Sequence, residues 1–250
     1  MKFPIFCHKC LNDNIGPYIP CSSIDDINDQ EVHEIVCERG HKCYYQIGNQ
    51  KFDILFTLGI QAMSEGYYRE AIVNFTSALE RFYEYAITLM LLINEVPYEE
   101  VSDFYKNIGK HSERELGAFC SLYYMVRKVP PTLLSNSKRS FRNDVIHGGI
   151  SPKYEKTLEY GDTIRNLIKD DYLFLDSNYP DAVYRLLSGQ ASETKALDIG
   201  SIEIISCGIE QYVLSDLSIE DMIKDIQNYK TVIDRLFKKS TPVIDINQNH

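Results

Sequence analysis

The chain has 250 residues, 44% of them hydrophobic and 25% charged, which suits one large or about two ordinary globular domains and excludes a disordered chain. Its net charge of −10 argues against nucleic-acid binding driven by overall charge but leaves room for a local basic site. No stretch approaches the roughly 20 apolar residues of a membrane span. The longest, Ile87 to Ile93, begins close to Glu84, and Met1 to Phe6 lacks the form of a secretory signal; a cytoplasmic protein with no membrane partner is expected.

The seven cysteines are unevenly spread. Cys120 and Cys207 stand in apolar patterns and read as core thiols, whereas Cys7, Cys10, Cys21, Cys37 and Cys43 crowd the N-terminus. In a reducing compartment such crowding points to a metal site, not to disulfides. Cys7-His8-Lys9-Cys10 is one knuckle, with two thiolates on a tight turn. Cys37-Glu38-Arg39-Gly40-His41-Lys42-Cys43 is the second, set between expected short strands at Val32–Val36 and Tyr44–Ile47, with Gly40 supplying the turn. Thiolate and imidazole ligands in two knuckles fit a closed, four-coordinate structural zinc. Cys7, Cys10 and Cys37 are three ligands and His41 the fourth, with Cys43 as its competitor. The arrangement resembles the zinc ribbons of nucleic-acid enzymes, and zinc would fold a segment with little core of its own.

From Phe52 onward the pattern is helical. Phe52, Leu55, Leu58 and Ala62 mark a first long helix, and Ala71, Ile72, Phe75, Ala78, Leu79, Phe82, Ala86 and Leu89 a second. Leu116, Phe119, Cys120 and Tyr123 mark a third. A fourth starts at Ser151-Pro152 and runs through Tyr154, Leu158, Gly161, Ile164 and Ile168. Four amphipathic helices with modest loops predict an antiparallel bundle. Residues 59–86 look like one tetratricopeptide unit, but no further copy follows and a solenoid is excluded.

An acidic protein here carries one cationic window. Between Gly117 and Asn143 there is no acidic residue, while Arg127, Lys128, Lys138, Arg139 and Arg142 fall inside it. It leads into Arg142-Asn143-Asp144-Val145-Ile146-His147-Gly148-Gly149, followed by Ser151-Pro152. An Arg with a polar neighbour, a His after four intervening residues and a helix start, all after three helices, resembles the HEPN family of ribonucleases and nucleotide-binding domains over residues 52–176. The resemblance implies RNA cleavage without a catalytic metal, by attack of a ribose 2′-hydroxyl on the adjacent phosphate. It also implies a homodimer that pairs two sites, and a bacterial toxin or anti-phage setting with an antitoxin or defence-system partner protein.

The chemistry suits the residue types. Histidine exchanges protons near neutral pH, and arginine's fixed charge and forked donors suit a phosphorane. Arg142 and His147 lie about 140° apart on an ideal helix, so the helix must end near His147 for both to reach one pocket, which Gly148 and Gly149 permit. Asn143 would hold a phosphate oxygen or orient the histidine. Glu80 matches an acidic position seen near this site in the family. Lys138, Arg139, Arg127 and Lys128 would form an RNA-binding rim. His8, His33, His111 and His250 have no partner by spacing.

Beyond Asp176, Ser201–Ser206 and Gln211–Leu214 read as two short strands, and Ser218 with Asp221 as the capping box of a last helix. Residues 240–250 read as a loose end. The expected protein is therefore mainly α: a zinc ribbon over residues 1–50, a four-helix HEPN-like bundle over 51–178 and a small α+β appendage over 179–250. A non-catalytic HEPN module that binds nucleotide or RNA, or partners a nucleotidyltransferase, is the alternative. A zinc-dependent interaction adaptor is a third reading.

Overall fold

A computed structural model describes residues 3–5, 7–12, 22–24, 32–37, 39–108, 112–196, 204–207 and 211–240. Cys21, His111, His250 and residues 201–203 and 241–250 of the expectations above lie outside that set, as does the side chain of Cys207. The chain is mainly helical and separates into two compact units. Residues 1–48, 200–209 and 223–250 form one; residues 49–199 and 210–222 form the other. No helix among the described residues is long and apolar enough to cross a membrane.

In the first unit, β1 (Phe3–Ile5) pairs antiparallel with β2 (Ser22–Ile24), and α1 (His8–Asn12) carries Cys10. A second sheet joins β3 (His33–Val36), β4 (Lys42–Ile47) and β5 (Ile204–Cys207), antiparallel between β3 and β4 and parallel between β4 and β5. Strand alternation buries Ile35, Cys43 and Tyr45. They gather with Cys7 and Cys37 into one small core. Its hairpin turns at Gly40, whose φ of +79° suits glycine.

The second unit is built around α3 (Tyr68–Ile93), which packs against α2 (Lys51–Ser64), α4 (Tyr98–Ile108), α5 (Ser112–Arg127), α6 (Asn136–Ile146), α7 (Tyr154–Asn178) and α8 (Pro180–Ala196). The apolar run read from the sequence is its buried face: Ala71, Ile72, Phe75, Ala78, Phe82, Ala86 and Leu89 are fully enclosed. Close approach of α2 and α7 to α3 needs glycine. A Cβ at Gly59 would stand 2.5 Å from the Phe75 ring, and one at Gly161 would stand 2.9 Å from it.

Several expectations are corrected here. The four expected helices are α2, α3, α5 and α7, but α4, α6 and α8 join them, because these shorter segments are stabilised as helices by packing against α3 and against one another. The fourth helix starts at Tyr154 with Lys153 in extended conformation as its N-cap, so Ser151 and Pro152 precede the cap instead of forming it. Gln211–Ser215 is a hydrogen-bonded turn, not a strand: the N–H groups of Leu214 and Ser215 both reach back to the Gln211 carbonyl. The stretch read as one appendage is shared between the units, with 180–199 and 210–222 in the helical one. Ser218 does cap α9 (Ile219–Ser240), its hydroxyl accepting from the Asp221 N–H at 3.1 Å and donating to the Asp221 carboxylate at 2.8 Å.

Candidate functional sites

Two clusters of chemistry-bearing side chains stand out, one in each unit. In the first, Cys7, Cys10, Cys37 and His41 bring four ligand atoms within 4.8 Å of one another, a set that could hold a metal ion. The knuckle around Gly40 makes this local: the Cys37 N–H donates to the His41 carbonyl at 3.0 Å and the Gly40 N–H to the Cys37 carbonyl at 2.8 Å. Across the site, Cys7 Sγ lies 3.7 Å and Cys10 Sγ 3.2 Å from His41 Nδ1, and Cys10 Sγ lies 3.9 Å from Cys37 Sγ. Tetrahedral zinc would set such ligand pairs roughly 3.5–3.8 Å apart, so the donor set and its size both fit.

Cys43, the competing fourth ligand, lies 3.6 Å from Cys7 but outside that group of four. Burial raises the Cys43 thiol, and the neighbouring Cys7 raises it further. At Cys7, burial is outweighed by hydrogen bonds from the Cys10 backbone, His41 and Cys43, which bring the thiol down to about 6. Tyr45 anchors the first knuckle, its buried hydroxyl accepting from the His8 N–H at 3.1 Å.

In the helical unit the Arg142 segment forms α6. Ser135 caps its start, accepting from the Lys138 N–H, and the rings of Phe141 and Tyr160 seat it on α7. The helix stops at Ile146 with His147 as its C-cap. Gly149 takes φ +71°, and the Ile150 N–H returns to the Asp144 carbonyl at 3.2 Å. Arg69 of α3 closes this end, its guanidinium donating to the Val145 and Ile146 carbonyls at 3.4 Å each. The helix end that the motif requires is thus built from glycine and from a distant arginine that the sequence reading missed.

Glu80, Arg142 and Asn143 are brought together. Arg142 donates to Glu80 Oε1 and to Asn143 Oδ1, both at 2.9 Å. The Arg142 and Glu80 side chains remain 30% and 33% exposed, so the pair sits at the surface of the fold and not inside it. It borders a cavity of about 250 Å³ lined also by Tyr83, Tyr160, Arg139 and Glu115. Burial raises the Tyr160 phenol, with the Thr76 hydrogen bond and the Arg142 charge opposing. Thr76 donates to the Ile72 carbonyl, so the Tyr160 hydroxyl is the donor in their 2.9 Å contact.

His147 is exposed at the end of α6, and its imidazole makes no hydrogen bond with the other motif residues or with any other described residue.

The expected basic rim divides. Arg139 lines the cavity and uses one N–H on the Leu134 carbonyl. Lys128 is exposed, ending α5 at φ +59°. Lys138 is instead paired with Glu159 at 2.8 Å, and Lys156 holds the same carboxylate at 3.0 Å. Hydrogen bonds from these two lysines hold Glu159 down at about 2.

Arg127 departs furthest from the rim reading. It pairs with buried Asp171 at 3.0 Å, donates to the Tyr123 hydroxyl and stacks 3.8 Å over the Phe174 ring, clamping α5 to α7. Such a clamp is invisible in the charge pattern because Asp171 lies far along the chain. Glu115 was missed for another reason. It looks like an ordinary acidic residue of a helix's first turn, yet Glu115, Phe119 and Tyr123, spaced at four, are the buried face of α5. Cys120 is half-buried, and burial raises its thiol.

Comparison with known proteins adds no family: no family model, curated protein or solved structure matches the chain.

Proposed function

We propose that the helical unit is a HEPN-type endoribonuclease domain and that the Cys/His unit is a zinc ribbon whose metal is structural. The observation that carries the first part is the Glu80–Arg142–Asn143 array on the rim of a cavity, with His147 exposed at the abrupt end of the same helix. Arg142 is charged, oriented by two acceptors and still accessible, as a phosphate-binding group must be. The second part rests on three thiols and one imidazole at tetrahedral spacing, a set with no open position for catalysis.

In the proposed reaction the ribose 2′-oxygen attacks the adjacent phosphorus as its proton passes to a base. The P–O5′ bond breaks, and the departing 5′-oxygen takes a proton, leaving a 2′,3′-cyclic phosphate and a 5′-hydroxyl. Arg142 stabilises the charge that builds on the phosphorane. His147 handles a proton, free to do so because no protein group engages its ring. One imidazole cannot act as base and acid in the same moment, so a homodimer that brings two copies together is part of the reading. RNA is the substrate, the setting is a cytoplasmic bacterial toxin or anti-phage system, and an antitoxin or defence-system protein is the partner class.

A second reading is favoured by the Arg142–Glu80 ion pair itself. An arginine committed to a carboxylate in its own chain also suits a non-catalytic module that binds RNA or nucleotide. Incubation of the purified protein with total RNA and EDTA, with product ends mapped, separates the two. Cyclic-phosphate ends that vanish in His147→Ala and Arg142→Ala support the nuclease. Intact RNA that still binds, more weakly after Arg142→Ala, supports the module.

A further inference from the structure

The cavity beside Arg142 holds a charge arrangement that the reaction above does not use. Glu115 is only 8% exposed, lines both this cavity and a larger one beside α4, and has no hydrogen-bond or ion-pair partner among the described residues. Its carboxylate oxygens keep contact with solvent through the cavity, so a donor on a ligand can take the place of water there. Arg139 lines the same cavity and makes no salt bridge with Glu115 or with any other described carboxylate; only its Nε is engaged, by the Leu134 carbonyl. The space is small, about 250 Å³, and the half-buried ring of Tyr83 stands on its wall. A flipped base is held in such a pocket by aromatic contact and by hydrogen bonds to its edges.

The two charges select among the bases. An ionised carboxylate only accepts hydrogen bonds, and guanine alone of the four presents two adjacent donors, N1–H and the N2 amine, on its Watson–Crick edge. Guanine also presents two acceptors, O6 and N7, to which arginine's fork is the commonest specific partner. Adenine and cytosine offer one donor beside an acceptor, and uracil one donor between two acceptors.

We infer that this cavity is a guanine pocket, with Glu115 accepting from N1–H and N2–H, Arg139 donating to O6 and N7, and the phosphate attached to that nucleotide held at Arg142. The inference rests on the reading of Arg142 as a phosphate-binding group, and it adds a base preference to it.

The test is calorimetric titration of the full chain carrying His147→Ala with the 3′-monophosphates of guanosine, inosine, adenosine, cytidine and uridine. Guanosine 3′-monophosphate is expected to bind roughly tenfold or more tightly than the adenosine, cytidine and uridine compounds. Inosine, which lacks the N2 amine, should fall between. Glu115→Gln should erase the preference for guanosine over inosine, and Arg139→Ala should weaken every purine that carries O6. Equal binding of all five, or no binding of any, overturns the pocket whatever the protein does to RNA. The inosine comparison needs no variant and stands even if Glu115→Gln fails to fold.

Competition by the oligonucleotide UUGUU assigns the guanine to an RNA chain, and failure to compete assigns it to a free nucleotide; either supports the pocket. Guanosine-selective binding by a protein that leaves RNA uncut would sink the nuclease reading alone.

Discussion

The two candidate sites differ in how far the chain must travel to build them. The metal-type cluster is written almost entirely in ligand identity: two knuckles, a glycine at φ +79° and a short hairpin bring three thiols and an imidazole together. The Arg142 cavity draws on α3, α5, α6 and α7, and its members range from Thr76 to Tyr160. A site of the first kind depends on its ligand and little else. One of the second kind depends on helix packing, so its residues divide into those that touch a ligand and those that hold the walls.

The largest expected effect breaks the first site without the second. Structural zinc in isolated fingers binds with roughly 10–16 kcal/mol. Elemental analysis should therefore find one zinc per chain, and Cys37→Ser should lose it, together with the dispersed amide signals of residues 33–47. Helical circular dichroism should be largely kept. Dispersed signals in a zinc-free Cys37→Ser protein would show that the small core of Ile35, Cys43 and Tyr45 folds unaided.

Next comes the motif. His147→Ala and Arg142→Ala should each lower RNA cleavage by at least about 100-fold. Because the His147 imidazole is exposed and makes no hydrogen bond to a described residue, its substitution should change stability by no more than about 0.5 kcal/mol. A His147→Ala protein that cleaves normally would remove histidine from the chemistry.

Arg127 sharpens the division between ligand contacts and walls. Arg127→Ala leaves buried Asp171 without its cation and should cost about 2–3 kcal/mol in urea unfolding, with RNA affinity unchanged. Lys128→Ala should do the reverse, weakening RNA binding slightly at unchanged stability. If Arg127→Ala instead weakens RNA binding at full stability, the clamp is misassigned.

The smallest effect is one of pH. Glu159 titrates at about 2 in the folded chain, below the ordinary glutamate value near 4.3. A lowered folded pKa contributes stability that is present above the unfolded value and is lost as pH falls through the folded one. The contribution of the Lys138–Glu159–Lys156 group should therefore be complete above about pH 4.3 and fade toward pH 2. Its exposure to solvent keeps it small. Melting curves of wild type and Glu159→Gln should converge as pH is lowered through that window, and parallel curves would show that the lysines do not hold the carboxylate.

Helical segments were legible wherever a long apolar stripe announced them, as in Ala71 to Leu89, and illegible where burial is borrowed. α8 carries no strong stripe and is helical because α3 gives it something to cover. α4 does carry Tyr98, Val101, Tyr105 and Ile108 at helical spacing, but it is only 11 residues long and packs against α8 and α3. The same holds for charge. Counting cations picked out the window from Arg127 to Arg142, but only packing separates Arg127, locked on Asp171, and Lys138, locked on Glu159, from Arg139 and Arg142 at the cavity.

By itself the sequence determined that Cys7, Cys10 and Cys37 gather with His41 or Cys43, which face of α3 is buried and the need for a helix end beside His147. All three depend on residue type and spacing over a few turns of chain, where the backbone geometry is nearly invariant. Tertiary structure alone decided that Glu80 faces Arg142, that Arg69 closes α6 and that Glu115 lines a cavity without a partner. Those facts join residues tens of positions apart. Their meeting is set by how helices pack on α3, for which no local pattern encodes a distance.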